Sequence, residues 1–268
     1  MTTRVVIVGA TGWVGRALVA ALAGRGDLHL VAAVARTAAG RDSGEAAGVA
    51  ANGVRLVATL AEALATASDV VIDYSKPGVV KGHVLAALAA GRHVVVGTSG
   101  MGAADYAEID AAALQAGRGV LAAGNFSITA TLMRRFALEA AKYVPDIEII
   151  DYASAKKADT PSGTGRELAE LIGAMRQPAT SMPVDQLGGV RATRGGAIGA
   201  PVAVQVHSVR MPSYVLSCEA LLGLPDERLT IRHDAGSSAA PYVGGTLLAA
   251  ARVSGFTGLR RGLDHVME

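Results

Sequence analysis

The chain opens on Val5-Val-Ile-Val8, a fully apolar run that passes at once into Gly9-Ala-Thr-Gly12-Trp-Val-Gly15 and then a helical pattern through Leu18 and Leu22. A strand, a tight turn and a helix in that order begin a doubly wound α/β sheet. The three glycines let the backbone turn sharply, approach a pyrophosphate and seat the helix on the strand, with the positive helix end facing the phosphates. The spacing is GxxGxxG, with Thr11 where the commoner GxGxxG form has its second glycine. Dinucleotide contacts are expected from Gly9, Ala10, Thr11, Gly12, Trp13 and Val14.

The alternation continues. Leu28 to Val34 is a second strand, ending at Ala35-Arg36-Thr37 without the acidic residue that recognises the ribose in an NAD-specific site. Arg36 and Thr37 suit a 2′-phosphate, so NADPH is expected over NADH. Residues Gly40 to Gly53 read as a loop with at most a short helix. Val54 to Val57 and Asp69-Val-Val-Ile-Asp73 are further strands, joined by a helical segment at Leu60 and Leu64. Pro77 opens a helix through Val80, Val84 and Leu88. Val94 to Val96 leads into Gly97-Thr98-Ser99-Gly100, which is either a plain loop or a turn passing close to a nicotinamide ribose. After a helix through Ile109 and Leu114, Val120-Leu121 runs into Ala123, Asn125, Phe126 and Ser127. The amide and backbone groups there could hold a nicotinamide carboxamide, or Asn125 or Ser127 could cap the next helix. Residues 1–126 therefore read as a Rossmann-type doubly wound parallel sheet.

The composition shifts after Ser127. A helix through Leu132, Phe136 and Tyr143 precedes a strand, Ile147 to Ile150; the polar stretch Asp151 to Gly165 follows, and Leu168, Leu171, Ile172 and Met175 recur at helical spacing behind it. Pro161 suits a first helical turn capped by Thr160 or Asp159, and Thr164 with Glu167 offers a second start. Either way the N–H groups of Ser162, Gly163 and Thr164 are expected to be free, and Lys157 adds a full charge, giving a corner able to bind a carboxylate. Lys156 and Lys157 are read either as a proton-supplying pair or as two solvated lysines. Tyr152 is a further donor candidate only if the backbone turns, because on a strand it faces opposite to Ala153. Beyond an irregular stretch, Gln177 to Ala200, three apolar runs at Val202–Val209, Tyr214–Leu222 and Leu229–His233 read as an antiparallel meander. With Ile147–Ala153 they make a four-stranded mixed sheet in a smaller α+β domain, residues 127–240, followed by a final helix from Pro241 through Leu248 and Val253. Arg210 and His233 are expected to pair on the strand faces.

Lys157-Ala-Asp159-Thr-Pro161-Ser162-Gly163-Thr164 resembles the lysine, aspartate and P-S-G-T signature of the 4-hydroxy-tetrahydrodipicolinate (dihydrodipicolinate) reductases. Tyr74 to Pro77, Gly97 to Gly100, Asn125-Phe-Ser127 and Val206 to Arg210 resemble further segments of that family. The resemblance implies NAD(P)H-dependent reduction of a cyclic dicarboxylate in the diaminopimelate and lysine pathway by a homotetramer, and a final helix that returns residues 241–268 to the first domain. It implies substrate contacts from Ser154, Lys157, Ser162, Gly163 and Thr164, and cofactor contacts at the turns named above. One departure stands out: the family has two adjacent histidines where this chain has Ala153 and Ser154, one regarded as proton donor and the other as a substrate contact. Three readings remain open. They are the lysine-pathway reductase with a substituted donor, a divergent reductase of another cyclic imine or imino acid, and a catalytically silent NADPH-binding protein.

Composition narrows the partners. With 268 residues, 51% of them hydrophobic, the chain can bury a sizeable core. A formal charge of +2 and basic runs no longer than a pair argue against nucleic-acid or membrane binding and leave a small molecule as the expected partner. Cys218 is the only cysteine, compatible with a reducing cytoplasm and expected to be packed rather than reactive. The histidines lack paired ligand spacing, so no metal is expected.

Overall fold

The computed structural model describes residues 2–175 and 177–267. The chain divides into two compact units, Met1–Ile128 with Ser238–Glu268, and Thr129–Ser237. In chain order the first unit carries β1 (Thr3–Val8), α1 (Trp13–Leu22), β2 (Leu28–Val34), α2 (Ser43–Ala47), β3 (Leu56–Val57), α3 (Leu60–Leu64), β4 (Val70–Asp73), α4 (Pro77–Ala89), β5 (His93–Val96), α5 (Ala103–Ala116) and β6 (Gly119–Ala122). The chain continues with α6 (Ile128–Ala140), β7 (Asp146–Ala153), α7 (Gly163–Gly173), β8 (Gly196–Ile198), β9 (Val204–Arg210), β10 (Leu216–Leu224) and β11 (Glu227–Ala235), and ends with α8 (Ala240–Arg252) and β12 (Gly258–Arg261).

The first unit is built on a seven-stranded parallel sheet, ordered β12-β6-β5-β4-β1-β2-β3. Its strands are continuous apolar runs because both faces are covered. Val5, Ile7, Ile72 and Leu121 pack with Leu18, Val19 and Leu247, whereas Val6, Val71, Val94 and Val96 pack with Val80, Val84 and Ile109. The strand order reverses at β1, which lies between β4 and β2, so the ends of those strands form the switch point where such sheets take ligands. The expected return of the C-terminus carries more than a helix. α8 joins the core, and β12 then adds a parallel strand beside β6, which its sequence Gly-Leu-Arg-Arg does not announce.

The second unit holds a five-stranded mixed sheet, ordered β11-β10-β7-β9-β8, one strand more than the four expected. The extra strand, β8, has three residues within the stretch read as irregular, too few to show alternation. The meander also needs correction. β10 and β11 are an antiparallel pair, but β9 runs parallel to β7 on its other side. The link after β9 passes around the end of β7 instead of forming a hairpin: the Met211 N–H donates to Ala153 O, Ala155 N–H to Met211 O and Ser154 N–H to Val215 O. One face of the sheet, through Ile147, Ile149, Val206, Ala220 and Leu222, buries against Met133 and Ala137 of α6 and Leu168, Ala169 and Ile172 of α7.

Candidate active site

At the end of β1 the glycines sit where no other residue fits. Gly9 has φ of +85°, and a Cβ there would lie 2.4 Å from Tyr74 O; at Gly15 it would lie 2.1 Å from Gly9 O. The N–H groups of Gly9 and Ala10 are spent on Val34 O, and that of Gly12 on Gly9 O. Those of Thr11, Trp13 and Val14 have no partner among the described residues, and they stand at the positive end of α1. Trp13 itself is exposed and meets Tyr242 edge-on at 5.5 Å. Arg36 and Thr37 begin a short 3₁₀ turn at the end of β2; Arg36 is exposed and has no described acidic partner.

The next two turns are tied to a buried carboxylate. Asp73, fully buried at the end of β4, accepts the Ser75 N–H at 2.8 Å, the Ser75 hydroxyl at 2.6 Å and the Thr98 hydroxyl at 2.9 Å, and lies 2.8 Å from His83 Nδ1. Thr98 is therefore held by the protein, and Ser99 beside it is exposed. The Tyr74 ring lies over Gly97, where a Cβ would come within 2.2 Å of it, and its hydroxyl pairs with Thr246 at 2.7 Å. Ala123 donates its N–H to Val96 O, and the Asn125 side chain accepts the Ser127 N–H at 2.8 Å. Only the backbone of Phe126 could meet a ligand, because its side chain is 1% exposed in the core. Unpaired N–H groups at a helix head, glycines whose Cβ would collide and an unpartnered arginine fit a phosphorylated dinucleotide.

In the second unit the polar corner is organised by Asp151, a residue given no role from the sequence. Asp151, fully buried, accepts the Ser162 N–H at 2.9 Å and the Ser162 hydroxyl at 2.5 Å, and Arg210 Nη2 at 2.7 Å. Arg210 also donates to Asp159 O at 2.8 Å, so one guanidinium ties β7 to the loop. Ser162, not Thr160, Asp159 or Thr164, caps α7, accepting the Gly165 N–H. Pro161 precedes the cap, joined to Thr160 by a cis peptide. The Ser162 N–H is thus not free, which leaves Gly163 and Thr164 as the unpaired donors among the described residues. Gly165 packs closely on Asp151, and a Cβ there would come 3.2 Å from that of Asp151.

Lys157 is half-buried on the same loop, its Nζ 2.9 Å from Asp159 Oδ1, and this hydrogen bond holds the Asp159 carboxyl below its ordinary pKa. Lys156 is exposed. Tyr152 does not join them. It projects from the opposite face of β7, where its hydroxyl donates to Glu219 at 3.0 Å between Tyr214 and Arg232. Burial, then Glu219, raises its pKa, which makes it a poorer acid. Ala153 is fully buried and Ser154 half-buried. The one signal that could have singled out Asp151 is its place in the inward series Ile147, Ile149, Asp151, Ala153, where a carboxylate needs partners. Asp73 likewise ends an apolar run.

Profiles described as dihydrodipicolinate reductase, N-terminus and C-terminus, match residues 3–126 and 129–267. A 4-hydroxy-tetrahydrodipicolinate reductase of Desulfitobacterium hafniense is 36% identical over 267 residues, covering 99% of this chain and 98% of that one. One of Nocardia farcinica is 39% identical over 280 residues, covering 100% of both. The structure of a dipicolinate-bound dihydrodipicolinate reductase from Paenisporosarcina sp. TG-14 is similar over 100% of both chains, with TM-score 0.87 and 28% identity. An amine dehydrogenase from Mycobacterium smegmatis, TM-score 0.69 over 100% of this chain and 97% of that one, shares the fold at 15% identity. With both profiles matched and relatives above 30% identity from end to end, the chain belongs to the dihydrodipicolinate reductase family of NAD(P)H-dependent oxidoreductases.

Proposed function

We propose that this protein is a 4-hydroxy-tetrahydrodipicolinate reductase that uses NADPH in preference to NADH. The observation that carries the reading is the segment at the head of α7, with a lysine ammonium on its leading loop and two unpaired backbone donors at its start, in a chain matched along its length by reductases of that name. Bound at the turns after β1, β2, β5 and β6, the dinucleotide supplies a hydride. The N–H groups of Thr11, Trp13 and Val14 take its phosphates, and Arg36 takes the 2′-phosphate. Lys157 with the Gly163 and Thr164 N–H groups would grip a substrate carboxylate and so fix the orientation of its ring. The ring nitrogen also needs a proton, and with no histidine at 153 or 154 the Lys157 ammonium is the donor the corner offers. The residues Glu148, Ile150 and Tyr152, on the other face of β7, suit packing against further copies in a homotetramer.

The direct test is NADPH oxidation with the heterocyclic product of dihydrodipicolinate synthase, together with rescue of a diaminopimelate auxotroph. Turnover and rescue are expected. Ala153 and Ser154 favour a second reading, a reductase of another cyclic imine. Turnover of an imine panel without rescue would replace the first reading with that one, and tight NADPH binding without turnover of any imine would leave a silent homologue.

A further inference from the structure

We propose that a depression at the N-terminal edge of the parallel sheet, opposite the nucleotide turns, is a second anion site that takes a small phosphate-type dianion. Its volume is about 690 Å³, and Arg4, Ser68, Asp69, Arg92, His93 and Arg118 line it. The charges do not cancel. Asp69 is the one carboxylate among these residues, and Arg4 consumes it: Arg4 N–H at 2.7 Å and Nε at 3.0 Å share one oxygen, while Nη2 at 2.7 Å takes the other. The two remaining guanidinium groups, Arg92 and Arg118, make no salt bridge or hydrogen bond to a carboxylate among the described residues, although Asp69 also feels the Arg92 charge.

Arg118 is also held in place. Its Nε donates to Gly91 O at 2.7 Å and its Nη1 to Gly117 O at 3.2 Å, neutral carbonyls that orient the group without neutralising it. His93 Nδ1 accepts the Gly119 N–H at 2.9 Å, which puts the imidazole proton on Nε2 as a further donor. Burial, then the neighbouring Arg118 charge, lowers the His93 pKa against an opposing pull from Asp69. Two buried groups lack partners as well. Ser68 is 1% exposed with an unsatisfied hydroxyl, and Arg92 Nε is buried and unsatisfied. An unsatisfied buried donor is costly to leave without a partner, so a wall that combines two of them with two guanidiniums outside any salt bridge is arranged for an oxyanion with several acceptors.

The site is remote from the dinucleotide turns, so binding can be read without touching turnover. The protein saturated with NADPH, which keeps phosphate off the glycine turns, is titrated with inorganic phosphate against chloride at matched ionic strength while Tm is followed. A saturable rise with phosphate alone is expected. Arg92→Gln, a change at a side chain with no described hydrogen bond, is expected to weaken phosphate about tenfold or more with the steady-state reductase constants unchanged. Arg118→Gln is the second variant, with phosphate affinity measured by calorimetry. The site is refuted if chloride matches phosphate, or if both variants keep the parent affinity.

Discussion

The buried Asp151 carboxylate receives the Ser162 N–H and hydroxyl on its two oxygens, and this contact fixes where α7 begins. Because Ser162 Oγ also caps the helix at Gly165, the unpaired Gly163 and Thr164 N–H groups are aimed by a residue 11 positions upstream. Arg210 supplies the compensating charge at 2.7 Å.

Asp151→Asn keeps the shape but gives up one acceptor and the charge facing Arg210. Leaving a buried ion unpaired costs roughly 3–5 kcal/mol, so denaturant titration is expected to show a loss of that order. If the variant folds, KM for the carboxylate substrate rises more than kcat falls, and NADPH affinity, which depends on the other unit, is unchanged. Loss of NADPH affinity to the same extent would show that Asp151 supports the chain as a whole.

Lys157 is paired only with the exposed Asp159, an arrangement worth about 0–1 kcal/mol to folding. Lys157→Met is therefore expected to leave Tm nearly unchanged while lowering kcat/KM by roughly 10²-fold or more, since in the proposed function one residue both grips the carboxylate and supplies the proton. Asp159→Asn removes the carboxylate charge facing Lys157 while keeping the ammonium and one acceptor, so it is expected to cost far less. Equal losses in both variants would mean that the pair, not the lysine, is the functional group.

Cys218 sits in β10 with 2% exposure, and burial, reinforced by the Asp151 charge, pushes its pKa up to about 12. The folded value lies above the unfolded one of about 8.5, so the stabilisation is complete below pH 8.5 and is lost as pH rises toward 12. The slope is at most about 1.4 kcal/mol per pH unit. Urea melts between pH 8 and 10 are expected to show this decline, Cys218→Ala to flatten it, and iodoacetamide at pH 8 to label only unfolded protein.

The parallel sheet was legible because strands covered on both faces leave unbroken apolar runs, such as Val5–Val8 and Val94–Val96. The order of the second sheet was not. Its three C-terminal runs carry hairpin-like spacing, and only the backbone bonds of Ser154, Ala155 and Met211 show that the link rounds the end of β7. Lys157, Gly163 and Thr164 could be read from a local motif. Asp151 stands out only by its inward place on β7, and its pairing could not be read at all, because Arg210 lies 59 positions away and no local pattern encodes the contact.

Arg36 is exposed, lies at the end of β2 and has no described partner, so it can be changed with little effect on the fold. Arg36→Ala is expected to raise KM for NADPH about tenfold, the equivalent of one charge-assisted contact, with KM for NADH unchanged. A parallel rise for both cofactors would assign Arg36 to a part of the dinucleotide that the two share, and the preference would then rest on other residues.

Ala153 and Ser154 differ in a way that bears on the missing histidines. Ala153 is fully buried on the inward face of β7, registered between Leu216 of β10 and Arg210 of β9. An imidazole there overfills a packed site, at a cost of about 1–3 kcal/mol, and competes with Arg210 for space. Ser154 is half-buried at the strand end and can take a larger side chain outward. Ala153→His is therefore expected to lower Tm without raising kcat, and Ser154→His to fold normally with at most a change in KM. A gain in kcat of roughly 10²-fold or more in Ala153→His would mean that the corner still accepts a general acid at that position and that its loss alone limits the rate.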